Sequence, residues 1–285
     1  MTPPAGVIPA VAAPVRALRT IGTAGAALAL VILAASILLR LTTGFGAESQ
    51  PISALPSAAE GAIRLVHRVA ASGAGLLALW AVILCWTKRR FVAGALGPTA
   101  WIATATVMLA VIGPLTPGYR FLAVTVANVV GGMVLLMAFW WLRESLAAAP
   151  PSRRSSDPLL TIAFVAYLAH AGSGAAASAL EIRGIRWVAF VHLGTAMLAT
   201  MFVGAILWEL RGRHALGRIV RSMAFLLAMQ LVFGLATLWI DHRPVWMSFI
   251  HAMLALFFAV GLVSIAVRDP DRDPNSRAFG QECKG

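Results

Sequence analysis

Residues 20–39 read TIGTAGAALALVILAASILL, an uncharged run closed at its two ends by Arg19 and Arg40. At about 1.5 Å of rise per residue, a helix of about 20 residues covers roughly 30 Å, the hydrocarbon thickness of a bilayer. The run begins after Arg16 and Arg19 and is too long for a signal-peptide core, so it is expected to stay in the mature chain. Comparable runs recur along the sequence. Together they give apolar segments at about 17–40, 62–86, 92–113, 119–142, 158–179, 186–209, 218–240 and 244–267. In hydrocarbon an unpaired backbone amide finds no water, so each run is expected to be a helix. The fold class that follows is an all-α polytopic membrane protein with eight transmembrane helices.

Composition agrees. Of the 285 residues, 60% are hydrophobic and 12% charged, against about 25% charged in a soluble domain. The net charge of +12 does not indicate nucleic acid, because the basic residues sit between apolar runs and form no stripe. Sixteen of the 23 Lys and Arg fall on the side that holds both tails, which predicts cytoplasmic termini. Cys85 and Cys283 form no CxxC or Cys/His cluster, so a structural zinc site is not expected, and both fall on the side where disulfides are rare. The loop at about 41–61 carries Gly44, Gly46, Pro51 and Pro56 and reads as turn-rich. The stretch 143–157, with Pro150, Pro151, Arg153 and Arg154, reads as a linker between halves 1–149 and 150–285.

The halves share polar landmarks. Thr43-Gly44-Phe45-Gly46 aligns with Ala171-Gly172-Ser173-Gly174, His67 with His192, Gly113 with Gly234, and Asn128 with His251, at offsets between 121 and 128 residues. A repeat of four spans keeps its orientation, which predicts two pseudo-symmetric four-helix bundles about an axis along the membrane normal.

Six histidines are present, and His67, His170, His192 and His251 fall inside spans. His214 and His242 fall in loops and are expected to be solvated. An ionisable side chain inside a membrane faces the bundle interior and marks a functional site. His67, His192 and His251 sit roughly 8–10 Å below one edge, at 1.5 Å per residue. Spans 6 and 8 run in the same direction, so His192 and His251 can face each other, and neutral imidazole is an axial ligand for heme iron. His170 finds no partner at its depth and is expected to be a packed core residue. Arg64, Arg68, Arg120, Arg186 and Arg243 lie near the same edge. They either hold carboxylates, such as heme propionates, or snorkel to the interface. Glu60 is either a proton donor or acceptor, or a helix-start charge paired with Arg64.

Five pieces carry a resemblance: Arg40-Leu41-Thr42-Thr43-Gly44-Phe45-Gly46, Leu65-Val66-His67-Arg68, Phe190-Val191-His192-Leu193-Gly194, Gln230-Leu231-Val232-Phe233-Gly234 and Phe249-Ile250-His251-Ala252. In their order and spacing the chain resembles the heme A synthase family, across all eight spans. Such proteins oxidise the C8 methyl of heme O to the formyl group of heme A. The resemblance implies a b-type heme held by His192 and His251 in the C-terminal half. It implies a substrate heme in the N-terminal half, with His67 facing its iron. Glu60 and His67 would then be the catalytic pair, with Arg68, Arg120, Arg186, Arg243 and Asn128 as heme-binding residues. The implied partners are the lipid bilayer, heme O, and a heme O synthase or terminal oxidase subunits, with a homo-oligomer as a further expectation. The N-terminal half departs from the family pattern. Asn128 stands where a second histidine is usual, Arg64 where a glutamate is usual, and the first outer loop has no cysteine pair. A non-catalytic heme-binding relative is therefore the alternative reading. A transporter is disfavoured, because the broken helices with midplane polar clusters that such folds carry are missing from the sequence.

Overall fold

The computed structural model describes residues 7–45, 51–53, 57–115, 121–147, 158–181, 187–240 and 245–268. Among these, eight helices are long and apolar enough to cross a membrane. They are α1 (Val7–Thr42), α2 (Ser57–Thr87), α3 (Leu96–Ile112), α4 (Leu122–Ser145), α5 (Pro158–Glu181), α6 (Val188–Leu210), α7 (Gly217–Trp239) and α8 (Val245–Arg268). The all-α polytopic class expected from hydropathy is the class found. Outward-facing Leu65, Trp80, Trp86, Phe190 and Trp208 are largely exposed. A soluble protein would bury side chains of this size, and here they form the surface that lipid covers.

Two helices are longer than hydropathy alone suggests. α1 reaches back through Pro14 to Val7, and α2 begins at Ser57, which puts Glu60 in its first turn. The connection between them was expected only as turns. It contains a short antiparallel ribbon, β1 (Thr43–Phe45) with β2 (Pro51–Ser53), in which Thr43 pairs with Ser53 and Phe45 with Pro51. Pro51 opens its strand, a position where a missing N–H is tolerated.

Helix α4 is central and packs on α1, α3, α5 and α8. Its approach to α1 depends on glycine. A Cβ on Gly22 would lie 2.8 Å from the Arg143 backbone nitrogen, and one on Gly25 would enter the Phe139 ring. Small residues let helices touch where lipid supplies no hydrophobic drive between them. Helix α2 uses the same device, burying Ala70, Ala74, Ala78 and Ala81 at helical spacing. Polar ties hold α4 to α8. Trp140 Nε1 donates to Ser264 Oγ at 2.8 Å, and Arg268 donates to the fully buried Glu144 at 2.5 and 3.0 Å. Arg143 also pairs with Glu144. In the later half α5 packs closely on α6 and α7 on α8, whereas α6 meets α7, and α5 meets α8, more sparsely. The sparse seams leave room for a site.

Candidate metal or heme site

Four helices converge on one cavity of about 100 Å³, with Tyr167 and His170 from α5, His192 from α6, Gln230 and Gly234 from α7, and His251 and Phe258 from α8. His170, His192 and His251 each offer one ring nitrogen, and the three nitrogens lie within 4.8 Å of one another. The pairing of His192 with His251 foreseen from depth is present, with ring centroids 6.3 Å apart and planes at 89°. His170 was expected to be a packed residue without a partner. It instead stacks on His192 at 4.4 Å, with planes 8° apart. The hint in the sequence was helical spacing. His170 and Gly174 are four residues apart on α5 and so share a face, and that face meets His192.

The landmarks that aligned the halves turn out to hold the rings. A Cβ on Gly174 would sit 2.8 Å from His192 Cε1, and one on Gly234 would sit 3.1 Å from His251 Cε1. Ser173 Oγ bonds the His170 carbonyl at 2.8 Å, His192 Nδ1 at 3.1 Å and Thr195 Oγ1 at 2.7 Å. With the one Ser173 proton on the carbonyl, its oxygen accepts from His192 Nδ1–H, and Thr195 Oγ1 donates to the His192 carbonyl at 2.9 Å. That tautomer leaves the lone pair of His192 at Nε2, free for a metal. On the other side Gln230 Nε2 lies 3.4 Å from His251 Nε2, while Gln230 Oε1 and His251 Nδ1 are buried without a partner. Reversing the Gln230 amide places its carbonyl on His251 Nε2–H and leaves the His251 lone pair at Nδ1. His170 Nδ1 is likewise buried and unpartnered.

This donor set suits a metal centre. Buried polar nitrogens without partners are costly, and a metal satisfies them. With metal–imidazole bonds of about 2 Å, ring nitrogens less than 4.8 Å apart are close enough for two of them to share one ion. A face-to-face pair cannot aim both lone pairs at one point, so His170 and His192 do not ligate the same ion in this arrangement. His192 and His251 are the pair that can. The cavity of about 100 Å³ has room for only a few waters at about 30 Å³ each. A macrocycle would need the sparse α6–α7 seam to part, where Leu193, Leu231 and Leu235 are exposed.

The other expected residues are dispersed. His67 on α2 is half-buried and its Nδ1 donates to the Ile32 carbonyl of α1 at 3.2 Å, which leaves Nε2 with the lone pair. Glu60 accepts from Arg64 Nε at 2.8 Å and Nη2 at 2.5 Å, so the pairing reading of Glu60 is the one observed. Arg68 is exposed and Asn128 on α4 is half-buried. Arg120, Arg186 and Arg243 lie outside the described residues, as does His242.

The chain matches no known family model, and no curated protein matches it.

Proposed function

We propose that this is a membrane heme protein whose residues 150–285 hold one b-type heme between His192 and His251. The observation that carries this reading is the perpendicular 6.3 Å pair of imidazoles, set by Ser173, Gly174, Gln230 and Gly234. A heme bound there supplies one-electron redox chemistry. The chain's own part is to orient the two imidazoles through Ser173 and Gln230 and to surround them with a largely apolar lining. Pseudo-symmetric four-helix bundles and cytoplasmic termini belong to this proposal, supported by the matched landmarks and the charge bias.

The reaction we assign is that of the resembled family, oxidation of the C8 methyl of heme O to a formyl group. Residues 1–149 would receive heme O beneath His67, whose bond to Ile32 directs Nε2 as a free lone pair. With oxygen taken from water, methyl to formyl releases four protons and four electrons, which a separate electron acceptor takes up. One observation favours the alternative of a non-catalytic heme-binding relative in electron transfer, heme handling or a respiratory complex. The Glu60 carboxylate is engaged by Arg64, so it is not a free proton carrier.

The test is a pyridine hemochrome spectrum with mass spectrometry of heme extracted from detergent-purified protein, beside His192→Ala, His251→Ala and His67→Ala. The enzyme reading expects heme B lost with either of the first two variants, and heme A or a hydroxylated intermediate lost with His67→Ala. Heme B alone in the wild type would establish the non-catalytic relative. Protein without heme in any preparation would overturn both.

A further inference from the structure

At the end of the bundle where α6 and α8 finish and α7 begins, six basic side chains line a recess of about 660 Å³: Arg211, Arg213, His214, Arg218, Arg221 and Arg268. Topology explains why basic residues gather at helix ends. It does not explain why they surround a hollow. Their partners account for only some of the charge. Arg213 lies 3.9 Å from Glu209. Arg268 is tied to Glu144. Arg211 donates to the Trp208 carbonyl at 2.8 Å and its guanidinium sits 3.6 Å over the Trp208 ring. Among the described residues no acidic group pairs with Arg218 or Arg221. Among the described residues the recess therefore presents two guanidinium forks without an acidic partner, whose geometry fits phosphate oxygens.

Its position selects the kind of phosphate. The recess lies where the spans Val188–Leu210, His214–Thr237 and Val245–Arg268 end, at the level of lipid headgroups. Trp208 on α6 and Phe225 on α7 are both largely exposed close to it in sequence, and a tryptophan at a span end sits naturally at the membrane interface. The seam between α6 and α7 is sparsely packed. We infer that the recess binds the headgroup of an anionic phospholipid, with its phosphate on Arg218 and Arg221 and its acyl chains along the α6–α7 seam. Basic pockets between transmembrane helices take such headgroups, and a soluble anion would gain nothing from the apolar seam beside this one.

The inference does not depend on heme and is tested on the full chain in nanodiscs. The discs contain phosphatidylcholine with a minor share of phosphatidylglycerol, and the readout is lipid retained on the protein by native mass spectrometry. Wild type should retain phosphatidylglycerol selectively. The double variant Arg218→Gln/Arg221→Gln should lose about twenty-five-fold in apparent affinity, at roughly a factor of five per residue. The variant Lys88→Gln/Arg89→Gln removes the same charge from another exposed basic turn and should retain the lipid. Inorganic phosphate should not compete. Equal losses in both variants would reduce the effect to diffuse charge and overturn the site. No enrichment of phosphatidylglycerol would also overturn it, and displacement by inorganic phosphate would make it a soluble-anion site instead.

Discussion

His170 lies face to face with His192, ring centroids 4.4 Å apart and planes within 8°, while His192 meets His251 edge-on at 89°. The stack holds the plane of His192 from behind, and Ser173 Oγ holds its Nδ1 from the side at 3.1 Å. His170 is therefore a positioning residue for the proposed ligand pair. His170→Phe, which keeps a flat ring, should retain heme with an altered low-spin EPR signature. His170→Ala should lose about tenfold or more in heme affinity, the scale of outer-shell losses at metal sites. If both variants bind heme and give spectra like wild type, the stack has no positioning role.

The glycines beside the rings make a graded series. Gly174→Ala puts a methyl 2.8 Å from His192 Cε1, and Gly234→Ala puts one 3.1 Å from His251 Cε1. Gly194→Ala meets nothing within 4 Å. Heme-to-protein ratio should fall most for Gly174→Ala, less for Gly234→Ala, and stay at the wild-type value for Gly194→Ala. A flat series would separate these glycines from the site.

Glu144 is fully buried and holds Arg268 across the α4–α8 contact. Glu144→Gln keeps the shape and removes the charge. The loss expected is about 2 kcal/mol, below the 3–5 kcal/mol of a wholly buried pair because Arg268 is about half exposed. Chemical denaturation in detergent reads it directly, and a midpoint equal to wild type would refute the tie.

Gly22 and Gly25 face different neighbours. The obstacle to a side chain at Gly22 is the backbone of Arg143 and Phe139, whereas at Gly25 it is the fully buried Phe139 ring, whose Cγ lies 2.7 Å from the added carbon. Gly22→Ala should destabilise by about 1–3 kcal/mol, the range for overpacking, and Gly25→Ala by at least as much. Thermal melting in detergent checks the order, and the reverse order would mean that α1 and α4 approach differently.

The number of helices and their approximate ends were legible in the sequence, because hydropathy and backbone hydrogen bonding are properties of one segment at a time. So was the pairing of His192 with His251, since depth follows from counting residues along two spans of equal direction. The early start of α2 resolved Glu60, whose i to i+4 bond with Arg64 is also local. The place of His170 was not legible. Each residue turns a helix by about a hundred degrees, so which way a histidine faces depends on how its helix is rotated against three others. Packing fixes that rotation, and here glycines at 174 and 234 admit the rings. The recess of arginines and the clasp of Glu144 by Arg268 are likewise products of assembly. Residues 124 positions apart meet there only because α4 and α8 pack together. The sequence by itself determined what must lie in the membrane and at what depth. Tertiary structure alone decided which side chains meet, because a contact between helices depends on their rotation and offset, and hydropathy encodes neither.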